Sequence, residues 1–417
     1  MKRATRLMLF AAISAYANAE TLTEEAIVQT VLRENQTLKA ANARWIAARE
    51  RVPQAKAWDD PMAGVDVERF GTTKFSTFTD NEWMVSQTLP LTGKNLSRGR
   101  TAVAEAQRSY EDVRRTKLDL ISRSRAAYAR LANAQAQRAI TQRNQELLRQ
   151  FSDISRAKYE AGVQTQTDVF LAQTDLARLS ETLANIERDI VEQETALNVL
   201  MNHPARAPLG EPIGPAFRPL TMSITQIEGF ALANRPEVLS AGRRIEAEKG
   251  RVQLARRQWI PDPQVRVEAR QFKDAGGIQE YDTGVFFSVP WVNFKKYSAA
   301  VREAQRNQED AERQLESARV EVLGMVRTQV KRITTLAKNY QLYRDQIVPL
   351  ARQSIESARA GYESDKSSFL ELITVRRGAQ DAESAMLQLL TDHQAAVAEL
   401  NAMIGRDTTQ PTSTNGK

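Results

Sequence analysis

Long stretches of this chain repeat their apolar residues every three or four positions. Ile333, Leu336, Tyr340, Tyr343, Ile347 and Leu350 step by 3, 4, 3, 4 and 3, the heptad spacing by which helices pack along a narrow seam. Val103 to Tyr110, Ile121 to Tyr128, and Ile140 to Leu147 to Ile154 are seven-residue steps of the same kind. From Ser97 to Ala161 there are 65 residues with no proline and one glycine, Gly99. That run predicts one helix of about 97 Å, too long for a compact domain and suited to a rod packed against other rods. Pro349 falls inside the second seam and is expected to kink its helix.

Between the helical stretches the period changes to two. Val65 and Val67 alternate with Asp66 and Glu68, Val265 and Val267 with Arg266 and Glu268, and Val285, Phe287 and Val289 share one parity. The pattern predicts strands over about 63–70, 82–89, 264–272 and 281–289, joined in pairs by "GTTKFSTFTDN" and "KDAGGIQE". An ordinary half-exposed hairpin shows the same alternation, as does a transmembrane barrel strand with one face to lipid and one to a watery lumen. Four strands cannot close around a pore, so a barrel requires several chains; three would supply an even set of twelve and leave no open edge in lipid.

These elements occur twice. Leu32 matches Leu232 and Pro90 matches Pro290 at an offset of 200; Pro61 matches Pro263 at 202. Tyr159 matches Tyr362, Asp168 matches Glu371, and Asn198 matches Asn401 at 203. Order and spacing hold along the whole length, so each unit reads helix, two short strands, long helix, break, helix. The expected division is a first repeat over 20–205, a linker over 206–223, a second repeat over 224–405 and a disordered tail over 406–417.

Composition narrows the setting. "MKRATRLMLFAAISAYANAE" has a basic start, an apolar run and Ala-Asn-Ala at 17–19, the signature of a secretory signal peptide over residues 1–19. Without Lys2, Arg3 and Arg6 the net charge falls from +7 to +4, which removes the main support for nucleic acid as a partner. There is no cysteine, so neither a disulfide nor a lipid-modified cysteine anchor is expected. After Ala19 no apolar run reaches the roughly 18 residues of a spanning helix, so membrane entry would be by strands.

The signal peptide, the duplicated unit, "LPLTGK" and "VPWVNFKKYSAAVREA" after the hairpins, and the "YEAGVQTQTDVFLAQ" break together resemble the TolC-like outer-membrane efflux factor family, from about Thr23 to Gly405. The Pro-x-x-Gly-Lys turn at 90–94 resembles the heavy-metal cation efflux branch. The resemblance implies a mainly α fold with a small β part: a homotrimer whose twelve-strand β-barrel sits in the outer membrane on a periplasmic α-helical coiled-coil barrel. It implies as partners outer-membrane lipid, a periplasmic adaptor protein and an inner-membrane pump of the resistance-nodulation-division type. The helix breaks at about 160–168 and 361–371 would be the periplasmic turns where an adaptor docks. Gly162 would supply the permissive backbone of the first turn, and Asp168 would favour the N-terminus of the returning helix. Asp365 stands opposite Gly162, with Gly361 four residues earlier, so the second turn is expected to differ in shape.

Candidate gate or docking residues at these tips are Arg156, Tyr159, Gly162, Asp168, Arg359, Tyr362, Asp365 and Glu371. In a three-fold assembly one carboxylate becomes a ring of three that attracts cations. Asp168, Asp365 and Glu371 are expected at the narrow mouth, gating against Arg359 or Arg156; the plainer reading is a solvated helix-end charge or cap. His203 reads as an exit turn and His393 as a polar-face residue of the last helix. Met62 and Met84 lie in the strand region, where packing is their reading. No catalytic motif is present, and neither an enzyme nor a cofactor is expected. The chief alternative to a passive export conduit is the periplasmic adaptor of such a pump; a purely structural coiled coil fits the strands and breaks less well.

Overall fold

The computed structural model describes residues 21–68, 79–163, 165–214, 216–273 and 276–405. The expected signal peptide, the loop over 71–78, Arg69 and Phe70 at the end of the first strand, and the tail over 406–417 lie outside these residues. The chain is mainly helical with one small sheet. Its first half runs α1 (Glu24–Glu34), α2 (Gln36–Lys56), β1 (Met62–Glu68), β2 (Asp80–Thr88), α3 (Lys94–Glu160) and α4 (Gln166–Leu200). The second half repeats the order: α5 (Ile224–Asn234), α6 (Pro236–Arg257), β3 (Pro263–Phe272), β4 (Glu280–Phe287), a short 3-10 turn (Pro290–Asn293), α7 (Phe294–Leu342), a π turn (Tyr343–Ile347), α8 (Val348–Glu363) and α9 (Phe369–Ile404). Two compact units form, one from residues up to Asn35, Leu120–Pro219 and Arg332–Ala398, the other from Gln36–Asp119, Leu220–Lys331 and the residues from Glu399 on.

Local chemistry sets the helix ends. Thr23 caps α1 by accepting from the Ala26 N–H, with Glu24 and Glu25 in the first turn complementing the helix dipole. Ser223 and Gln226 form a reciprocal capping box at the start of α5, and Pro236 opens α6 where its missing N–H costs nothing.

The long helix α3 buries a seam that differs from the one its large apolar residues suggest. Ala106, Val113, Leu120, Ala127, Ala134, Thr141, Leu148 and Ser155 are all buried, a strict heptad series, while Val103 and Tyr110 are exposed. The seam is built mostly of small residues, which let neighbouring backbones approach closely; a search for large apolar side chains passes over it. The second seam also departs from its expected course. Ile333 and Tyr340 are buried, but next come Val348 (4% exposed), Ala358 and Tyr362, while Leu350 is 61% exposed. The π turn is the cause: it holds one residue more than an α turn, so the stripe steps by eight from 340 to 348 and then resumes by seven. The same turn accommodates Pro349, whose helix continues.

In the first unit the start of the described chain is clamped. The Leu22 N–H donates to the Glu211 carbonyl at 2.9 Å, and the Tyr128 hydroxyl donates to the Leu22 carbonyl at 3.0 Å while accepting from the Ile213 N–H at 3.0 Å. Burial raises the Tyr128 pKa, keeping the hydroxyl protonated as a donor. Farther along, α3, α4, α8 and α9 share a core of Leu148, Phe151, Ala172, Leu179, Ala358, Tyr362, Phe369, Leu372 and Ile373.

The second unit carries one antiparallel sheet in the order β1-β2-β3-β4, so the two hairpins join through β2 and β3, with Asp80 opposite Phe272 and Thr88 opposite Gln264. The register puts Val65, Val67, Trp83, Val85, Val265, Val267, Ala269, Tyr281, Val285 and Phe287 on one face, interrupted by Asn81, Gln87, Gln271 and Thr283. That face is open: Val65 is 60% exposed and Phe287 59%. The other face holds most of the charge, with Arg270 reaching Asp80 at 3.2 Å and Glu82 at 3.0 Å, and Arg266 reaching Glu268 at 3.0 Å.

Where the sheet meets the helices, the "LTGK" turn acts as a clamp. The Thr92 hydroxyl donates to Asp262 Oδ1 at 2.6 Å, Lys94 Nζ reaches Oδ2 at 2.8 Å, and the Arg257 guanidinium donates to the Gly93 carbonyl. Burial opposes ionisation of Asp262, but the bonds from Lys94 and Thr92 outweigh it and hold the carboxyl below its usual range. Gly93 has φ +72°, and a Cβ there would lie 2.7 Å from an Arg257 nitrogen. Gly93→Ala is therefore expected to cost about 1–2 kcal/mol, measured as a lower melting temperature of the purified protein; an unchanged melt would show that the turn relaxes freely.

Candidate functional site

The breaks between α3 and α4 and between α8 and α9 are built alike. In the first, Gly162 has φ +75°; its N–H donates to the Tyr159 carbonyl and the Val163 N–H to the Lys158 carbonyl, both at 2.9 Å. In the second, Asp365 has φ +59°; its N–H donates to the Tyr362 carbonyl at 3.3 Å and the Lys366 N–H to the Gly361 carbonyl at 2.8 Å. Every partner is displaced by 203 residues. The expectation that Asp365 would give a differently shaped turn is thus corrected. A left-handed helix terminus forms at both, because aspartate tolerates that region at a cost of about 1 kcal/mol.

Lys158 is the residue that makes the strained aspartate workable. Its Nζ donates to Asp365 Oδ1 and to the Tyr362 carbonyl, each at 2.6 Å, and lies 4.6 Å from the Tyr362 ring centroid. The sequence reading sets Asp168, Asp365 and Glu371 against Arg359 or Arg156 at the mouth. Within this chain Arg359 pairs with Glu363 one turn on at 3.0 Å, and Arg156 is exposed. The matched tyrosines also part: Tyr159 is 43% exposed, whereas Tyr362 is buried with its ring against Phe369 at 5.4 Å. Lys158 escapes a search for matched positions because its counterpart is Gly361, where a Cβ would crowd the Ser367 hydroxyl at 2.8 Å.

Asp168 and Glu371 occupy the first turns of the returning helices α4 and α9. Glu371 is exposed, its backbone N–H donating to the Ser368 hydroxyl at 3.2 Å. Asp168 is partly buried, and burial raises its pKa. Two turns into these helices lies a charged cluster that pattern reading misses. Asp175 is 2% exposed and accepts from Arg376 at 2.8 Å and from Arg377 through both carboxylate oxygens. Burial disfavours its charge, but hydrogen bonds from Arg377 and Arg376 outweigh that and lower its pKa. Arg376 is itself fully buried and donates to Gln380 at 3.0 Å. Loss of Asp175 would leave the buried Arg376 charge without its carboxylate, at about 3–5 kcal/mol, whereas loss of Arg376 would leave Asp175 its bonds from Arg377. The one signal available in sequence is an aspartate on the apolar stripe of α4, beside Ala172 and Leu179.

A model of the family described as outer membrane efflux protein matches residues 27–203 and again 229–406. The chain belongs to that family. As an efflux protein of this fold it resembles the Vibrio cholerae outer membrane protein VceC, with 18% identity, a TM-score of 0.77, and coverage of 92% of this chain and 96% of that one. It resembles the Campylobacter jejuni CmeC outer membrane channel at 16% and 0.78, covering 94% and 88%. It also resembles CusC, described with transmembrane channel formation, at 16% and 0.76, covering 92% of each chain. Likenesses so even do not separate a heavy-metal branch from the others. The family is one of channels rather than enzymes, and the adaptor alternative gives way to it.

His393 is not on a polar face. It is 1% exposed on α9, its ring 4.8 Å from Phe217, which stacks on Tyr340 at 5.0 Å. Neither ring nitrogen meets a hydrogen-bonding group among the described residues, and burial lowers its pKa to about 4. His203 is exposed in the turn after α4. Among the described residues no group of three His, Asp or Glu side chains is placed to hold a metal ion. Because the folded pKa of His393 lies below the unfolded value near 6.5, the unfolded chain takes up the proton first as pH falls. Stability should therefore drop between about pH 6.5 and 4, by up to about 3 kcal/mol. His393→Leu should flatten that part of a melting-temperature profile; an unaltered slope would assign the sensitivity to other groups.

Proposed function

We propose that this efflux protein is a passive homotrimeric conduit through which an inner-membrane pump, coupled by a periplasmic adaptor, exports cargo across the periplasm and outer membrane. One observation supports this above the rest: a sheet with its apolar face exposed, its ion-paired face opposite, and β1 and β4 as open outer strands. In water such a sheet is unstable on both counts; in lipid, closed with copies of itself, both are resolved. No described helix is long and apolar enough to span a membrane, so the strands are the elements available for that task. The division into residues 20–205 and 224–405 joined by 206–223 belongs to the same reading, each repeat giving two strands and one tip.

We assign the two helix turns as the tips that meet the adaptor and narrow the mouth. Asp365 with Lys158 is the contact whose release would let the tips part, and Asp168, Asp365 and Glu371 supply carboxylates to a three-fold ring. Arg359 and Arg156 flank it, and Tyr159 offers an exposed aromatic surface. Heavy-metal cations are the cargo favoured by the resemblance of the Pro90–Lys94 turn and by acidic tips, although Thr92 and Lys94 are engaged in holding Asp262.

The assembly is tested by the mass of detergent-extracted protein, from light scattering corrected for bound detergent. Three chains are expected; a monomer, or release from membranes without detergent, would refute the barrel. The tips are tested by ion selectivity in planar bilayers. Wild type should favour cations over anions, and Asp365→Ala combined with Glu371→Ala should raise conductance severalfold and weaken that preference. Unchanged currents would remove these carboxylates from the mouth.

A further inference from the structure

The clamp at β2 and β3 is complete within one chain because it joins the two repeats: Thr92 and Lys94 leave β2, and Asp262 enters β3. The second set of equivalent segments is present but divided. Val292 and Phe294, 200 residues after Thr92 and Lys94, leave β4; Asp60, 202 residues before Asp262, enters β1. These strands are the two outer members of the sheet, three strand spacings or about 14 Å apart, so the halves cannot meet in the chain that carries them. Both halves are open. Val292 is 76% exposed, Phe294 62%, Trp291 59% and Trp58 58%. Asp60, Lys295 and Lys296 are exposed as well, and no described cation lies within ion-pair distance of Asp60.

We propose that the segment Trp291–Lys296 of one chain docks on the segment Trp58–Pro61 of a second copy. The contact repeats between chains the clamp that Thr92, Lys94 and Asp262 make within one. It rests on the channel reading and adds to it the segments that meet. The chemistry is altered rather than copied. Val292 and Phe294 replace the hydroxyl and ammonium of Thr92 and Lys94, so the contact is apolar where the internal one is polar. Lys295, one position on, carries the charge that Asp60 takes in place of Lys94. A second copy is the occupant because the two segments are complementary in charge, adjoin the open strands β4 and β1, and have a worked counterpart in the same molecule.

The absence of cysteine makes the test clean. Val292→Cys combined with Asp60→Cys, oxidised in membranes with copper phenanthroline, should give disulfide-linked dimers and trimers on non-reducing gels. Either single variant should give neither, since identical positions are held apart around a three-fold axis. The unoxidised double variant is weighed by light scattering alongside. A trimer that does not cross-link overturns this junction and leaves the channel reading intact; a mass other than three chains for wild type overturns the channel reading itself. A second measurement avoids cysteine. Lys295→Asp should lower the temperature at which the trimer dissociates in detergent, and adding Asp60→Lys should restore it; no loss, or no restoration, counts against the pair.

Discussion

Backbone hydrogen bonding at the outer strands constrains this molecule more than any side-chain contact. Among the described residues, β1 and β4 each carry a row of N–H and C=O groups along an edge with no neighbouring strand. In water such edges invite aggregation, and in hydrocarbon each unmet group costs several kcal/mol. A sheet with an apolar outer face is drawn toward lipid, where the edges are least affordable. Closure with further copies, the assembly proposed above, would satisfy both demands at once. It would also bring the long helices that leave the strands side by side.

The two repeats are similar in backbone and dissimilar in chemistry. At the helix turns the same hydrogen-bond pattern is supported once by glycine and once by an aspartate held by lysine. At the sheet base the segment after β2 enters a polar clamp, whereas its counterpart after β4 is apolar and exposed. Duplication set the frame, and divergence then gave the matched positions different neighbours. In the proposed assembly two kinds of helix turn and two kinds of sheet base would alternate, making the ring less symmetric in its side chains than in its backbone.

The architecture was legible in the amino-acid sequence because its signals are periodic. Period-two segments, long proline-free runs and matched motifs all survive without knowledge of contacts. Individual packing positions were less legible. Ala106, Ala127, Ala134, Thr141 and Ser155 carry the α3 seam, and small residues do not announce burial. The shift from Leu350 to Val348 depends on a π turn with no residue signature of its own. At the candidate site, Gly162 could be read from local turn chemistry alone. Lys158, and Asp175 with Arg376, could not, because their partners lie about two hundred residues away and only tertiary packing brings them together.

The π turn at Tyr343–Ile347 also makes the helix after it a dial. Each residue of an α-helix turns the chain by about 100°, so rewinding that turn as a plain α-helix with no residue removed would rotate the surface of α8 by that angle about its axis. The buried and exposed residues near Tyr362 would change neighbours with no substitution at any of them. The orientation of the second helix turn is therefore set some fifteen residues upstream, in how one turn of backbone is wound rather than in the identity of its side chains.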